Sequence, residues 1–354
     1  MHAYTIPTDA HESDGTLEWD ATTMIVVDAE GGGATGVGYT YSDQSAASLI
    51  SRVLSERVTT GADAMDVEAS YDSMVHAVRN LGQQGLAATA ISAVDIALWD
   101  LKAHLLDTSL ISLLGAARDA IPVYGSGGFT SYSIDRLQDQ LGGWAGSGIP
   151  AVKMKIGRDA AADRERVRAA RAAIGPDVEL FVDANGAYDR KLALSQAERF
   201  AADDVRWFEE PVSSDDLEGL RLLRDRAPAC MDIAAGEYGY DLQYFRRMLQ
   251  AGAVDVLQAD ATRCCGVTGF LRAAALCDAW GLPLSAHTAP SVHAHLCCAA
   301  SRTRHLEYFH DHVRIEGMLF GGVLQPIDGT LRPDRSRPGL GIEFKRADAA
   351  RFAL

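Results

Sequence analysis

The sequence lacks the features that mark several large classes of protein. Its 6 cysteines form no Cys-x-x-Cys pair, which excludes the usual zinc-ribbon and disulfide frameworks. Residues 1–20 show no basic start followed by an apolar run, so we expect no signal peptide. No apolar stretch approaches the roughly 18 residues of a membrane span. These absences predict a cytoplasmic protein with no membrane partner.

Basic residues are few relative to acidic ones, 33 against 48, and the formal net charge is −15. Such a charge argues against nucleic acid or an anionic membrane surface as a partner, and at first against an anionic substrate. Hydrophobic residues make up 47% and charged residues 23% of the chain, which excludes a disordered chain. The length of 354 residues indicates two domains, or one large barrel with an accessory piece.

The first third of the chain has an α+β pattern. Residues 22–28 and 36–41 are typical of short strands, and a glycine-rich turn separates them. Helices are predicted over residues 43–54, 73–81 and 89–105, where apolar and polar residues alternate at helical spacing.

From about residue 121, the sequence pattern predicts strands and helices in alternation. Eight strand candidates start 22 to 29 residues apart and predict an α/β fold with a (β/α)8-type barrel rather than an open sheet. The final segment, 317–354, lies outside the barrel count, and we expect it to return to the first domain. The eight candidates are Pro122–Ser126, Ala151–Gly157, Leu180–Asn185, Trp207–Pro211, Asp232–Glu237, Val254–Asp260, Pro283–His287 and His305–Phe309.

Carboxylates end three consecutive barrel strands. Asp183, Glu209 and Glu237 each follow apolar residues and would meet at the carboxyl end of the barrel, where barrel enzymes place their active sites. Three adjacent carboxylates cannot all stay ionised without a cation. Hard oxygen ligands of this kind suit Mg²⁺, so the sequence predicts a magnesium site.

Two lysines precede these acids on one strand. Lys153 and Lys155 alternate with apolar residues, so both side chains are expected to point into the barrel mouth. Repulsion between two ammonium groups lowers the pKa of each, and this would let one act as a base near neutral pH.

Further polar side chains end the remaining strands. Asp260 and His287 lie on adjacent strands, where the acid could orient the imidazole as a catalytic base. Glu307 would bind a substrate carboxylate if protonated, or a hydroxyl if ionised, although a structural role fits it equally well. Asn185 offers a neutral amide to the same space. We expect the other histidines of the C-terminal half to be hydrogen-bonded structural residues.

These groups together suit removal of a proton next to a carboxylate. A magnesium ion and lysine ammonium groups would stabilise the negative charge that develops. Lys155 or His287 would remove the proton, and the other could return a proton or help a leaving group depart.

The chain resembles the enolase superfamily, and within it the mandelate racemase subgroup. Ala90–His104 (AISAVDIALWDLKAH) is similar to a capping-domain helix of that family, and seven further motifs follow in the family's order. One departure is Cys265, which adds a side chain where relatives often carry glycine, and this leaves the local loop shape open. The motifs are VKMKIG, VDANGAY, WFEEPV, AAGE, LQADATRCCGVTGF, SAHTAP and HLEYF.

The resemblance implies a (β/α)7β TIM-like barrel with an α+β N-terminal capping domain. Its expected parts are a capping domain over 1–115, the barrel over 116–316 and a returning segment over 317–354. Loops at Pro7–Trp19 and near Tyr39–Tyr41 would close over the substrate. The implied roles are Mg²⁺ binding by Asp183, Glu209 and Glu237, catalysis by Lys155, His287 and Asp260 with help from Lys153 and Glu307, and substrate binding by Asn185, Tyr39, Tyr41 and Asp14.

The subgroup contains both racemases and dehydratases of acid sugars. A polar segment around Asp14 and the availability of His287 as an acid favour dehydration of an acid sugar to a 2-keto-3-deoxy acid. The alternatives are racemisation or epimerisation by 1,1-proton transfer, and cycloisomerisation of a lactone or anhydrosugar acid. The family also implies a homo-oligomer, from dimer to octamer.

Overall fold

The computed structural model describes residues 1–354, and its N-terminal part is built on a three-stranded antiparallel sheet. The strands are β1 (His2–Ser13), β2 (Glu18–Gly31) and β3 (Ala34–Tyr41). Two predicted loops were wrong. Most of Pro7–Trp19 belongs to the β1–β2 hairpin, whose pairing shifts between Pro7 and Glu12, and Tyr39–Tyr41 lies inside β3 because its residues pair with β2.

Helices cover one face of this sheet. The longest helix, α4, is mostly buried, and its many small alanine side chains let it pack directly on β3. Gly36 and Gly38 permit this contact, because a Cβ at Gly36 would lie 2.2 Å from the backbone nitrogen of Leu101. The helices are α1 (Ser45–Leu49), a π-helical turn (Ile50–Leu54), α2 (Ser55–Thr59), α3 (Val67–Ala77), α4 (Leu86–Leu105) and α5 (Leu110–Leu114).

Eight parallel strands then form a barrel that closes where the last strand pairs with the first. All eight predicted strands are present, and the predicted fold class is confirmed. The barrel strands are β4 (Ile121–Gly127), β5 (Ala151–Lys155), β6 (Glu179–Asp183), β7 (Val205–Glu209), β8 (Asp232–Ala235), β9 (Val256–Ala259), β10 (Leu284–Ala286) and β11 (Thr303–Phe309).

Seven helices connect the eight barrel strands, as a (β/α)7β barrel requires. Several begin at an aspartate or serine that caps the free backbone N–H groups; Asp189, for example, accepts from Lys191 and Leu192. The connecting helices are α6 (Ile134–Gly146), α7 (Asp163–Ile174), α8 (Arg190–Ala201), α9 (Leu217–Arg226), α10 (Leu242–Ala251), α11 (Gly266–Trp280) and α12 (Pro290–Ala299).

Aromatic side chains fill the inside of the barrel below the strand ends. Phe181 and Trp207 stack with ring centroids 5.4 Å apart, and Tyr124 packs edge-on against Phe181. All three are fully buried. They form the floor of the space into which the polar side chains at the strand ends point.

The C-terminal segment contacts both parts of the molecule. Asp100 of α4 accepts hydrogen bonds from Val37 of β3 and from Leu340, at 2.7 and 2.6 Å. The final residues lie beside β1, where Leu354 donates to Ala3. The predicted boundaries at 115 and 316 stay predictions. The remaining elements are α13 (His310–Leu319), β12 (Phe320–Gly321), β13 (Thr330–Leu331), β14 (Glu343–Phe344), α14 (Arg346–Ala349) and a 3₁₀ turn (Ala350–Phe352).

None of the helices combines the length and the apolar character that crossing a bilayer requires.

The contact between β3 and α4 can be tested at Gly36. We expect Gly36→Ala to lower the free energy of unfolding by at least about 2 kcal/mol, because its methyl group would overlap the α4 backbone, which cannot move aside cheaply. Gly143→Ala is the control, since a Cβ there meets nothing within 4 Å, and it should be neutral or stabilising by up to ~1 kcal/mol. Chemical denaturation measures both, and equal stabilities would contradict the close contact.

Candidate functional site

The carboxyl ends of the barrel strands open into a cavity of about 420 Å³ between the barrel and the capping domain. Its walls come from both parts of the chain. From the barrel they include Lys155, Asn185, Glu237, Arg263, His287 and Glu307, and from the β1–β2 hairpin and β3 they include Asp14, Trp19 and Tyr41.

Three carboxylates form a cluster at the base of this cavity. Asp183 ends β6, Glu209 ends β7, and Glu237 follows β8, so parallel strands deliver them to the same level. Each offers an oxygen within 4.8 Å of the others, and all three are buried. Oε2 of Glu237 makes no hydrogen bond within the protein, and Nε2 of His287 lies 3.3 Å from it. A set of hard oxygen donors with one uncommitted buried oxygen fits Mg²⁺.

Lys153 and Lys155 both point inward and contact these carboxylates. Lys155 Nζ donates to Asp183 at 2.5 Å, and Lys153 Nζ donates to Glu209 and lies 2.9 Å from Glu307. Only Lys155 lines the cavity; Lys153 is fully buried beneath it. Lys155 is thus placed to meet a substrate, while Lys153 supplies positive charge from below.

The expected fall in the lysine pKa values was wrong for this arrangement. Burial lowers the pKa of Lys155, but the negative charges of Asp183, Glu237 and Glu209 together outweigh burial and the repulsion from Lys153, and the net shift is upward. The pKa of Lys153 is raised in the same way by Glu209 and Glu307. The spacing of the two lysines along β5 does not reveal the carboxylates that contact them, and these carboxylates set the direction of the shift.

Asp260 and His287 form a hydrogen-bonded pair beside the carboxylates. Nδ1 of His287 lies 2.7 Å from Oδ2 of Asp260, and the other oxygen of Asp260 accepts from the backbone and hydroxyl of Thr262. Burial raises the pKa of Asp260, but its bond to His287 and the imidazole charge outweigh burial and lower it. The ionised acid fixes the ring, so Nε2 of His287 faces the cavity, 3.3 Å from Glu237.

Glu307 is an ionised acceptor. Oε1 accepts from Ser126 at 2.5 Å and contacts Lys153, while Oε2 has no partner. Burial raises its pKa, but the charges of Lys153 and His287 prevail and lower it to about 2. An ionised Glu307 would accept a hydrogen bond from a substrate hydroxyl group, and its role towards the substrate stays a prediction.

The four predicted substrate-binding residues have different positions. Asn185, in a left-handed conformation with φ 45°, lines the cavity with a buried unpartnered Oδ1. Asp14 and Tyr41 also line it, although Asp14 Oδ1 accepts from Thr16 and Leu17. Tyr39 does not reach the cavity, and its predicted substrate contact was wrong.

Tyr39 is instead part of the packing between the capping sheet and α13. Its side chain is fully buried, and its hydroxyl donates to Glu316 at 2.5 Å. In β3 it shares a face with Tyr41, and their rings meet edge-on at 5.9 Å. Only Tyr41, nearer the strand end, projects far enough to reach the cavity.

Several cavity residues were not singled out from the sequence, among them Arg263, Trp19 and His312. Arg263 donates to the backbone oxygen of Glu237 at 3.2 Å, and its place three residues after Asp260 in a strand-end loop was the available signal. Trp19 comes from the hairpin. His312, assigned a structural role from sequence, lines the cavity and stacks on Tyr41 at 3.4 Å.

Cys265 does not alter the cavity. It adopts a left-handed conformation, φ 67°, and its buried side chain packs with the capping-domain core. Its Sγ accepts from Gln83 at 3.4 Å. The extra side chain therefore points away from the reacting groups and strengthens the contact between barrel and cap.

Two family models match most of the chain. One, described as the mandelate racemase / muconate lactonizing enzyme N-terminal domain, matches residues 10–115, and the other, described as enolase C-terminal domain-like, matches residues 136–349.

Curated relatives align with most of this chain. The 3,6-anhydro-alpha-L-galactonate cycloisomerase of Streptomyces coelicolor is 32% identical over 97% of this chain and 96% of its own. The L-talarate/galactarate dehydratase of Salmonella typhimurium is 33% identical over 88% of this chain and 77% of its own.

Solved structures share the whole fold. A mandelate racemase/muconate lactonizing enzyme-like protein from Rubrobacter xylanophilus is 56% identical, with a TM-score of 0.97 over 100% of this chain and 98% of that one. A racemase from Streptomyces coelicolor with bound magnesium is 31% identical, with a TM-score of 0.93 over 100% and 98% of the two chains. The chain therefore belongs to the mandelate racemase / muconate lactonizing enzyme family of the enolase superfamily, a family of Mg²⁺-dependent lyases and isomerases.

Proposed function

We propose that this enzyme removes the proton α to the carboxylate of an acid sugar and then expels the β-hydroxyl group, yielding a 2-keto-3-deoxy acid. One observation carries the proposal. Lys155 and the Asp260-oriented His287 reach the same cavity from strands three steps apart around the barrel, beside the carboxylate cluster. Such a pair can handle two proton transfers on one substrate.

Asp183, Glu209 and Glu237 would hold Mg²⁺, which when bound stabilises the negative charge that develops on the substrate's carboxyl oxygens. Once its partner Asp183 holds Mg²⁺, the carboxylate charge that raises the pKa of Lys155 is offset, and neutral Lys155 takes the α-proton on Nζ. Lys153 keeps a fixed positive charge against Glu209 and Glu307, and so lowers the local negative potential. Protonated His287 gives the proton on Nε2 to the departing hydroxyl, which leaves as water when the C–O bond breaks, and the resulting enol becomes the 2-keto acid.

The cavity wall suits a polyhydroxy substrate. Ionised Glu307 presents an unpartnered Oε2, and Asn185 presents an unpartnered Oδ1, so both can accept hydrogen bonds from sugar hydroxyls. The buried acceptors favour a substrate with several donors, since an apolar substrate would leave these oxygens unsatisfied.

A cycloisomerase is the second candidate, because the Streptomyces coelicolor cycloisomerase matches this chain over almost its whole length. The same proton removal followed by departure of a ring ether oxygen opens an anhydrosugar acid. The enzyme would then change the structure of its substrate without changing its mass. A cytoplasmic location and a homo-oligomeric assembly remain our proposals alongside the reaction.

A product screen tests the reaction. Purified protein with Mg²⁺ is incubated with acid sugars and anhydrosugar acids in ordinary water, where mass spectrometry and a 2-keto acid assay follow the products, and in parallel in deuterated water, where proton NMR follows exchange of the α-proton. Dehydration predicts a 2-keto acid that has lost one water, and this product should vanish with a chelator and return with added Mg²⁺. A 2-keto acid of unchanged mass would establish cycloisomerisation. Exchange of the α-proton with no loss of oxygen would establish racemisation or epimerisation.

Two variants separate the proposed roles of base and acid. We expect Lys155→Ala to abolish both α-proton exchange and product formation, and His287→Asn to reduce product formation by ~10²–10⁴-fold while exchange continues. Proton NMR in deuterated water measures exchange, and the keto acid assay measures product. Lys191→Ala and His76→Asn, both exposed, serve as matched controls. Exchange that survives in Lys155→Ala but disappears in His287→Asn would reverse the two roles.

A further inference from the structure

A second group of potential metal ligands lies outside the catalytic cavity. Asp9 and Glu12 come from β1 of the capping domain, and His310 is the first residue of α13, directly after the last barrel strand. Each offers a ligand atom, and these atoms lie within 4.8 Å of one another. The capping domain and the barrel thus contribute to one cluster, which we call the cap–barrel cluster.

Glu12 gives this cluster a feature that a chance group of surface acids lacks. The residue is fully buried, at 0% exposure. Its Oε2 accepts from Nε1 of Trp19 at 2.9 Å, while Oε1 is buried with no partner. An ionised carboxylate held in this way destabilises the fold unless it is protonated or meets a cation.

The other two residues leave suitable atoms available. Arg136 approaches Oδ1 of Asp9 at 3.4 Å, whereas Oδ2 faces Nε2 of His310 at 3.2 Å. Nearby Asp311 does not compete, since Arg314 binds its carboxylate at 2.6 Å. Asp9 and His310 are thus hydrogen-bonded to each other, and a bound cation would replace that contact; with the unpartnered Oε1 of Glu12, the ligand set would be two carboxylate groups and one imidazole nitrogen.

We propose that Asp9, Glu12 and His310 bind a first-row divalent transition-metal ion such as Zn²⁺, which clamps the β1–β2 hairpin to the barrel. An imidazole with two carboxylates is a Zn²⁺-type ligand set, unlike the all-oxygen catalytic cluster that suits Mg²⁺. The partial exposure of Asp9 and His310 provides a path for the ion to enter.

The clamp would act on the cavity through its neighbours. Trp19, which donates to Glu12, and Phe309, which precedes His310, both line the catalytic cavity. Phe129 packs edge-on against both, with ring centroids 5.6 and 5.7 Å away. An ion here would fix this side of the cavity entrance. The site is independent of which reaction the cavity performs.

Metal counting on the full chain tests the proposal. Each variant is equilibrated with Zn²⁺ in excess Mg²⁺, and free metal is then removed before the bound Zn²⁺ is counted. All variants carry Glu209→Gln, because this change disables the catalytic carboxylate cluster. We expect about one Zn²⁺ per chain in Glu209→Gln and none in Glu209→Gln/His310→Ala. Glu209→Gln/Asp9→Asn is the second variant, chosen because Asp9 is exposed, and it should also lose the ion. Glu209→Gln/His11→Ala is the control on the same hairpin and should retain it.

Spectroscopy with Co²⁺ gives a readout that does not depend on stoichiometry. Co²⁺ bound to Glu209→Gln should show a visible absorption band that His310→Ala removes and His11→Ala leaves. Equal Zn²⁺ counts and equal Co²⁺ spectra with and without His310 would overturn the proposal, and Glu12 would then be a protonated buried acid. Circular dichroism identifies any variant that fails to fold, and Asp9→Asn then decides the result.

Discussion

Three carboxylates that are buried side by side set the main constraint on this molecule. Asp183, Glu209 and Glu237 sit at the ends of neighbouring strands with almost no access to water, where like charges repel strongly. The lysines of β5 compensate this charge from within, and the family's Mg²⁺ compensates the rest. The aromatic floor below and the capping domain above bury these side chains, and the lower local dielectric strengthens each of these interactions. The barrel is thus a frame that holds charges in positions they would not keep alone.

The same constraint explains how an acidic protein can receive an anionic substrate. The net charge of −15 describes the whole surface, whereas the substrate meets a local field. Within the site, Lys153, Lys155 and Arg263 face the carboxylates, and the metal adds two further positive charges. The carboxylates hold the lysines, the arginine and the metal close together at one end of the cavity. The positive charge of these groups can attract a substrate carboxylate to that end.

The parts that were predictable from sequence are those governed by local patterns. Each barrel strand is a short apolar run, and the residue that ends it must lie at the carboxyl rim, so Asp183, Glu209 and His287 could be placed together. Tyr39 and His312 could not be assigned correctly, because their positions depend on how β3 packs against α13, and these two elements are far apart in sequence. Tyr39 bonds to Glu316 away from the cavity, whereas His312 stacks on Tyr41 and lines the cavity. The predicted direction of the lysine pKa shifts was wrong for a related reason. They depend on contacts with carboxylates that lie 28 or more residues away in the sequence rather than on the lysine spacing.

The division of labour between the two domains follows from their geometry. Barrel strands hold the reacting groups to a fixed level, since each side chain is anchored in a closed parallel sheet. The β1–β2 hairpin supplies Asp14 and Trp19 from a segment whose pairing shifts between Pro7 and Glu12, so its backbone is less constrained. Changes in the hairpin can therefore alter which substrate fits without moving Lys155 or His287. Glu12 of that hairpin is buried, and only one of its two carboxylate oxygens has a hydrogen-bond partner. Because Glu12 lies where the hairpin meets the barrel, the position of the hairpin wall of the cavity depends on whether a proton or a cation neutralises this carboxylate.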